Sequence, residues 1–257
     1  MNVLSMFDLK GEKAIVTGGG QGLGREMALA LAEAGADVAV VQRRVEVAEK
    51  TAEEIRKLGR DSFAMKVDVS KAEDAKNMVE AVKDRFGKID ILINNAGVDQ
   101  HISAVDMTEE DWDRMIDINL KGEFLGCQMV GREMIKQRKG SIINIASMCA
   151  FIVVRPQLQV HYDVAKAGVA QLTRCLAMEW AKYNIRVNAI APGYMKTPML
   201  ARNLGPGKIG EQWVKLTPMG RLGEPYEIKG LALFLASKAS SFITGSTILM
   251  DGGYTCW

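Results

Sequence analysis

The 257-residue chain has no run of about 18 uncharged apolar residues and no block of basic charge. The first absence excludes a membrane-spanning helix. The second removes the electrostatic footprint expected of a nucleic-acid binder: net charge is only +2, and acidic and basic residues alternate in stretches such as EVAEKTAEEIRK. Its four cysteines, Cys127, Cys149, Cys175 and Cys256, are far apart and lack C-x-x-C spacing, so neither a zinc site nor a disulfide framework is expected. The opening MNVLSMFDLKGEKAIV has no basic stretch leading into a sustained apolar run, and there are no repeats or low-complexity tails. A soluble, cytoplasmic protein of one domain, residues 1–257, is the expectation.

What the chain does have is alternation. Short apolar runs (KAIVTG, ADVAVVQ, DSFAMKVDV, IDILINNAG, SIINIAS, IRVNAIAPG, STILMDGG) are separated by helical patterns at 23–34, 45–58, 71–86, 161–182 and 224–236. Continuous Val/Ile/Leu runs between helices mean strands buried on both faces, hence a Rossmann-type α/β fold with a doubly wound parallel sheet and helices on both sides. The pattern loosens at 192–223, where Pro and Gly gather. An irregular stretch beyond the carboxyl end of a strand is expected to be a substrate lid.

The first strand runs into T-G-x-x-x-G-x-G at 17–24 and then a helix. Gly18, Gly22 and Gly24, with Gln21 and Leu23 between them, allow a tight turn and bring a pyrophosphate close to the amides at a helix N-terminus. About 18 residues after Gly24 the second strand ends in Gln42, Arg43 and Arg44, where an acidic residue would ordinarily hold the ribose hydroxyls. An arginine there pairs with a 2′-phosphate, which favours NADP, although Gln42 leaves NAD open.

In HYDVAKAG, Tyr162 and Lys166 are four residues apart and share a helical face. Taken alone, they could equally be a surface pair. Together with the glycine loop, NNAG at 94–97, NIAS at 144–147 and PG at 192–193, the pair makes the whole chain resemble the short-chain dehydrogenase/reductase family. The resemblance implies a nicotinamide-dependent oxidoreductase acting on a secondary alcohol or ketone. Tyr162 would be its proton donor or acceptor, with its pKa lowered by Lys166, and Ser147 would bond the substrate oxygen. Asn119, in DINLKGEF, matches a helix asparagine that holds a relay water, with a buried capping role as the competing account. Further cofactor contacts implied by matching position are Asp68 and Val69 at the adenine, then Asn95, Ala96 and Gly97. Pro192, Gly193, Lys166 and Tyr162 follow, with Thr197 at the carboxamide.

The stretch SMCAFIVVRPQLQVHYDVAKA is similar to polyol and ketose dehydrogenases of the family, with Ser147 and Tyr162 fifteen apart, a longer spacing than in many ketoacyl reductases. Related polyol enzymes often have polar or small residues where Cys149, Ala150 and Val154 stand. Gln100, His101, Gln157 and Gln159, with Cys149, are therefore the candidate substrate contacts. The alternative substrate is an acyl-carrier thioester, with Arg155 and Lys196 serving the carrier; a non-catalytic cofactor sensor is a third possibility. The resemblance further implies a homotetramer pairing helices at about 105–135 and 161–182, with Tyr254–Trp257 near a two-fold axis. No metal site is expected.

Overall fold

A computed structural model describes residues 2–257. Its first strand is β1 (Lys13–Thr17), followed by α1 (Gly22–Glu33), β2 (Asp37–Gln42), α2 (Val45–Lys57), β3 (Ser62–Lys66), α3 (Ala72–Phe86) and β4 (Ile91–Asn94). Then come α4 (Glu109–Ile116), α5 (Gly122–Gln137), β5 (Gly140–Ile145), α6 (Val160–Trp180), β6 (Ile185–Pro192), α7 (Gly210–Leu216), α8 (Ile228–Ala236) and β7 (Thr247–Met250). The seven strands form one sheet in the order β3-β2-β1-β4-β5-β6-β7, and every pairing is parallel.

Period-two alternation divides the strand residues between two cores. Ala14, Val16, Val38, Val40, Ile91 and Ile93 pack with α1, α2 and α8. Ile15, Ala39, Val41, Leu92 and Ile142 pack with α3, α5 and α6 on the other face. Burial on both sides is why the strands read as unbroken apolar runs. Strand order reverses between β1 and β4, and the crevice beyond their carboxyl ends is where a doubly wound sheet takes its ligand.

Three boundaries differ from the sequence reading. The run DSFAMKVDV stops pairing at Lys66 because the Asp68 carboxylate accepts from both the backbone N–H and the hydroxyl of Ser70, which turns the chain into α3. The 105–135 region holds two helices rather than one. Thr108 and Asp111 cap α4 reciprocally, and a π-helical turn at Asp117–Lys121 separates it from α5. The stretch at 192–223 is partly ordered: it contains α7, and a parallel bridge from Met195 to Gly223 closes its base. Among the described residues no helix is long and apolar enough to cross a membrane.

Candidate active site

The glycine loop is held by its neighbours. Gly18 has φ +63°, and a Cβ there would stand 2.8 Å from Asn95 Nδ2. Asn95 Nδ2 donates to the carbonyls of Thr17 (3.0 Å) and Gly18 (3.2 Å), while the Thr17 hydroxyl accepts from the N–H groups of Asn95 and Ala96. This ties β1 to β4 at the reversal point. No side chain caps the N-terminus of α1, and its first turn has no acidic residue, so its free amides face an anion site. Gly24 departs from expectation. It does not border the crevice, and a Cβ there would fall 2.2 Å from the Gly18 carbonyl oxygen, so this glycine serves close packing beneath the loop.

The crevice encloses about 360 Å³, an ordinary size for a ligand site. Gly18, Gln21, Gly22 and Leu23 line one wall, with Gln42, Arg43, Asp68 and Val69 at its outer end. Asn95, Ala96 and Gly97 form the floor, and Pro192, Gly193 and Thr197 the far side. Gln42 Oε1 accepts from the Gly20 N–H at 2.9 Å. With its oxygen so engaged, Gln42 has its amide donor left to offer in the crevice that Arg43 also lines.

Ser147, Tyr162 and Lys166 share the inner end. Ser147 stands two residues beyond β5 and caps a 3-10 turn, its Oγ accepting from the Cys149 N–H at 3.2 Å. Tyr162 and Lys166 rise from the first turns of α6. Lys166 Nζ donates to Glu123 Oε1 at 3.0 Å and to the Ile145 carbonyl at 2.5 Å. The expected lowering of the Tyr162 pKa is reversed: burial, then the neighbouring Cys149, push the phenol up, against the pull of the Ser147 hydroxyl. The cation that was to lower it is paired with a carboxylate.

Two further candidates are bonded to protein partners that the sequence did not show. Both polar ends of the Asn119 side chain are taken by Val98, Oδ1 accepting from its N–H (2.9 Å) and Nδ2 donating to its carbonyl (2.8 Å). The side chain is fully buried outside the crevice lining and clamps the Val98 backbone. Gln100 turns away from the crevice because its Nε2 donates to Asp111 at 2.7 Å.

His101, Cys149, Gln157 and Gln159 do line the crevice. Burial lowers the pKa of His101, with Asp99 opposing. Burial pushes the Cys149 thiol up to about 12. Gln157 is engaged at both ends, donating to the Tyr194 hydroxyl (2.6 Å) and accepting from Trp213 Nε1 (3.2 Å). Gln159 Nε2 donates to Asp163 at 2.8 Å. Sequence reasoning missed Tyr194 and Trp213, whose rings stack at 4.2 Å, and Asp99, which pairs with Arg202 at 3.1 Å. The one available signal was an aromatic directly after Pro192 and Gly193. Glu123 was missed too, although a carboxylate four residues after Asn119 on an apolar helix is a local anomaly. Among the described residues no cluster of His, Cys, Asp or Glu could hold a metal ion.

A family model described as "Enoyl-(Acyl carrier protein) reductase" matches residues 18–255. The chain belongs to the short-chain dehydrogenase/reductase family. This short-chain dehydrogenase/reductase is 43% identical to galactitol 2-dehydrogenase of Rhizobium johnstonii over 261 residues, the whole of both chains. It is 41% identical to an NAD-dependent glycerol dehydrogenase of Listeria innocua, covering 97% of this chain and 96% of that one. The crystal structure of a gluconate 5-dehydrogenase from Burkholderia cenocepacia, in complex with NADP and tartrate, superposes with a TM-score of 0.94 at 35% identity over the whole of both chains. As a member of the family, the short-chain dehydrogenase/reductase is an NAD(P)-dependent alcohol dehydrogenase or ketoreductase. The uncapped α1 amides and the Gly18 cradle fit a dinucleotide diphosphate.

Proposed function

We propose that the protein interconverts a secondary alcohol and a ketone on a polyol, ketose or sugar acid. The observation that carries this reading is Ser147, Tyr162 and Lys166 in one crevice with the glycine loop, together with full-length similarity to a galactitol dehydrogenase. In this reading the glycine loop at Gly18, Gln21, Gly22 and Leu23 holds the diphosphate, Asp68 and Val69 border the adenine, and Thr197 meets the carboxamide. The bound nicotinamide supplies or accepts the hydride. Ser147 donates to the substrate oxygen and stabilises the developing negative charge. Tyr162 gives its proton to that oxygen in reduction and takes it back in oxidation. Burial keeps the proton on the phenol at neutral pH, as the reductive direction needs. Asn119 holds Val98 in place beside the reacting centre.

NADP is the favoured cofactor, because β2 ends in the Gln42 amide and Arg43, donors to a phosphate, and not in the carboxylate that would ordinarily take the ribose hydroxyls. The stretch 192–223 acts as the lid, tied across the mouth by Arg202 and Asp99. An acyl-carrier substrate is disfavoured, since Lys196, one of its two expected basic contacts, is paired with Glu224. A cytoplasmic homotetramer completes the reading. Exposed Phe124, Val160, Val164 and Met178 on α5 and α6 support self-association, and four free thiols suit a reducing compartment.

The test follows reduced-nicotinamide absorbance with sugar alcohols, sugar acids, ketoses and an acetoacetyl thioester, each with NAD(H) and NADP(H), for wild type and Tyr162→Phe. Polyol or ketose turnover that vanishes in the variant is the expected result. Turnover of the thioester alone overturns the substrate class, and cofactor binding without turnover of any substrate favours a sensor.

A further inference from the structure

None of these steps uses Glu123, yet it is the carboxyl group in contact with Lys166. It lies on α5 at 2% exposure, among buried Leu125, Cys127 and Val130. Oε1 accepts from Lys166 Nζ, and Oε2 is buried without a partner among the described residues. Lys166 is itself only 4% exposed. Around the carboxyl, α6 contributes Lys166 as the charged neighbour and α5 contributes the Cys127 thiol. From β4 and β5, Asn94 and Asn144 bring uncharged amides. Asn94 Nδ2 donates to the Glu123 main-chain carbonyl and to Asn144.

Two states of this pair differ by one charge. With Glu123 ionised, the pair is neutral and the Lys166 charge is cancelled at close range. With Glu123 protonated, the ammonium stands alone in a poorly solvated place, where its field reaches the phenol one helical turn away. Burial, opposed by Lys166, pushes the Glu123 carboxyl up to about 7, so both states are populated near neutrality. We propose that Glu123 is a positioning residue that holds Lys166 and, by taking or releasing a proton at its unpartnered oxygen, sets how much of the Lys166 charge Tyr162 feels. The proton comes from water and returns to it; one O–H bond forms or breaks, and nothing is oxidised or reduced. The inference rests on Tyr162 and Lys166 being the proton-transfer pair of the proposed reaction.

Two measurements test it. The first is an infrared pH titration of the cofactor-free protein, read at the carbonyl stretch of a protonated carboxylic acid. A band that disappears as pH rises through about 7 is expected. It should be absent in Glu123→Gln and retained in Asp163→Asn, whose native carboxyl is also raised by burial. The second is the pH dependence of kcat and kcat/KM for alcohol oxidation. In Glu123→Gln the Lys166 charge is uncancelled, phenolate forms more readily, and the acid limb moves down by on the order of one pH unit. Glu123→Asp, which keeps the negative charge, should stay near the wild-type limb.

A limb that does not move, or the lack of any carboxyl band titrating near neutrality, overturns the proposal. If Glu123→Gln does not fold, the titration of Asp163→Asn, which lacks the other raised carboxyl, remains decisive. An active Tyr162→Phe would sink the assignment beneath the proposal. An inactive Tyr162→Phe alongside an unchanged Glu123→Gln profile would sink the proposal alone.

Discussion

Replacing Gly24 and Gly22 separately with alanine distinguishes packing beneath the glycine loop from the loop's own conformation. At Gly24 the added Cβ would sit 2.2 Å from the Gly18 oxygen and 2.4 Å from Asn95 Nδ2. Neither neighbour is free to retreat: the Gly18 N–H donates to the Val41 carbonyl at 2.8 Å, and Asn95 Nδ2 holds two carbonyls. Overpacking of this kind costs about 1–3 kcal/mol. Losing an Asn95 hydrogen bond adds about 1 kcal/mol, for a total of about 2–4 kcal/mol. At Gly22 the nearest atoms, on Thr197 and Pro198, are 3.6 Å away, so space is not limiting. The cost there is the left-handed backbone at φ +55°, about 1–2 kcal/mol for an L-residue. Urea unfolding of the cofactor-free protein, with cofactor Kd by fluorescence titration, should rank Gly24→Ala as the less stable variant. Its cofactor affinity should fall with its stability. A Gly24→Ala protein within about 0.5 kcal/mol of wild type would refute the reasoning, because the loop would then be yielding where the bonds say it is held.

Arg43→Ala should raise the Kd for NADP by tenfold or more, about 1.4 kcal/mol, while changing that for NAD much less; equal losses would refute the phosphate role. Glu123 also makes stability pH-dependent. Its folded pKa, about 7, lies above the ordinary 4.5, so the native state binds more protons and its advantage fades as pH rises from about 4.5 through 7. Glu123→Gln should therefore gain on wild type over that window by up to about 3 kcal/mol, read by urea unfolding at several pH values. A thiol reagent should modify buried Cys127 and Cys149, both pushed up by burial, only on unfolding, whereas Cys175 and Cys256, exposed on the single protomer, react as far as self-association leaves them open. Rapid loss of all four thiols in native protein would contradict that burial.

The alternation of apolar runs and helical patterns made the sheet and most helices readable, because burial on both faces leaves its mark on every strand residue. Ser147, Tyr162 and Lys166 were readable because each stands at a strand end or on one helical face. The π turn at Asp117–Lys121 was not, since a single widened turn shifts the phase of the apolar pattern without changing its composition. Nor could spacing say where a flexible side chain finds its partner. Gln100 looked like a substrate contact and instead reaches Asp111, and Gln157 is held between Tyr194 and Trp213 from distant segments. Lys166 appeared to be Tyr162's partner, yet its bonds go to α5 and β5. Such pairings are settled across elements by burial, on which local sequence is silent.

The buried amides beneath the site carry one more consequence. Asn94 and Asn144 are register partners on β4 and β5, bonded side chain to side chain at 3.0 Å, and Asn144 passes the chain on to the Thr173 hydroxyl of α6. A one-residue slip between these strands would turn each amide to the opposite face and leave its polar atoms unmatched in hydrocarbon. The three residues thus work as a key against that slip. Since Asn95 and Ser147 lie one and three residues beyond the keyed pair, the tolerance of that key sets how accurately two distant segments of the chain meet in the crevice.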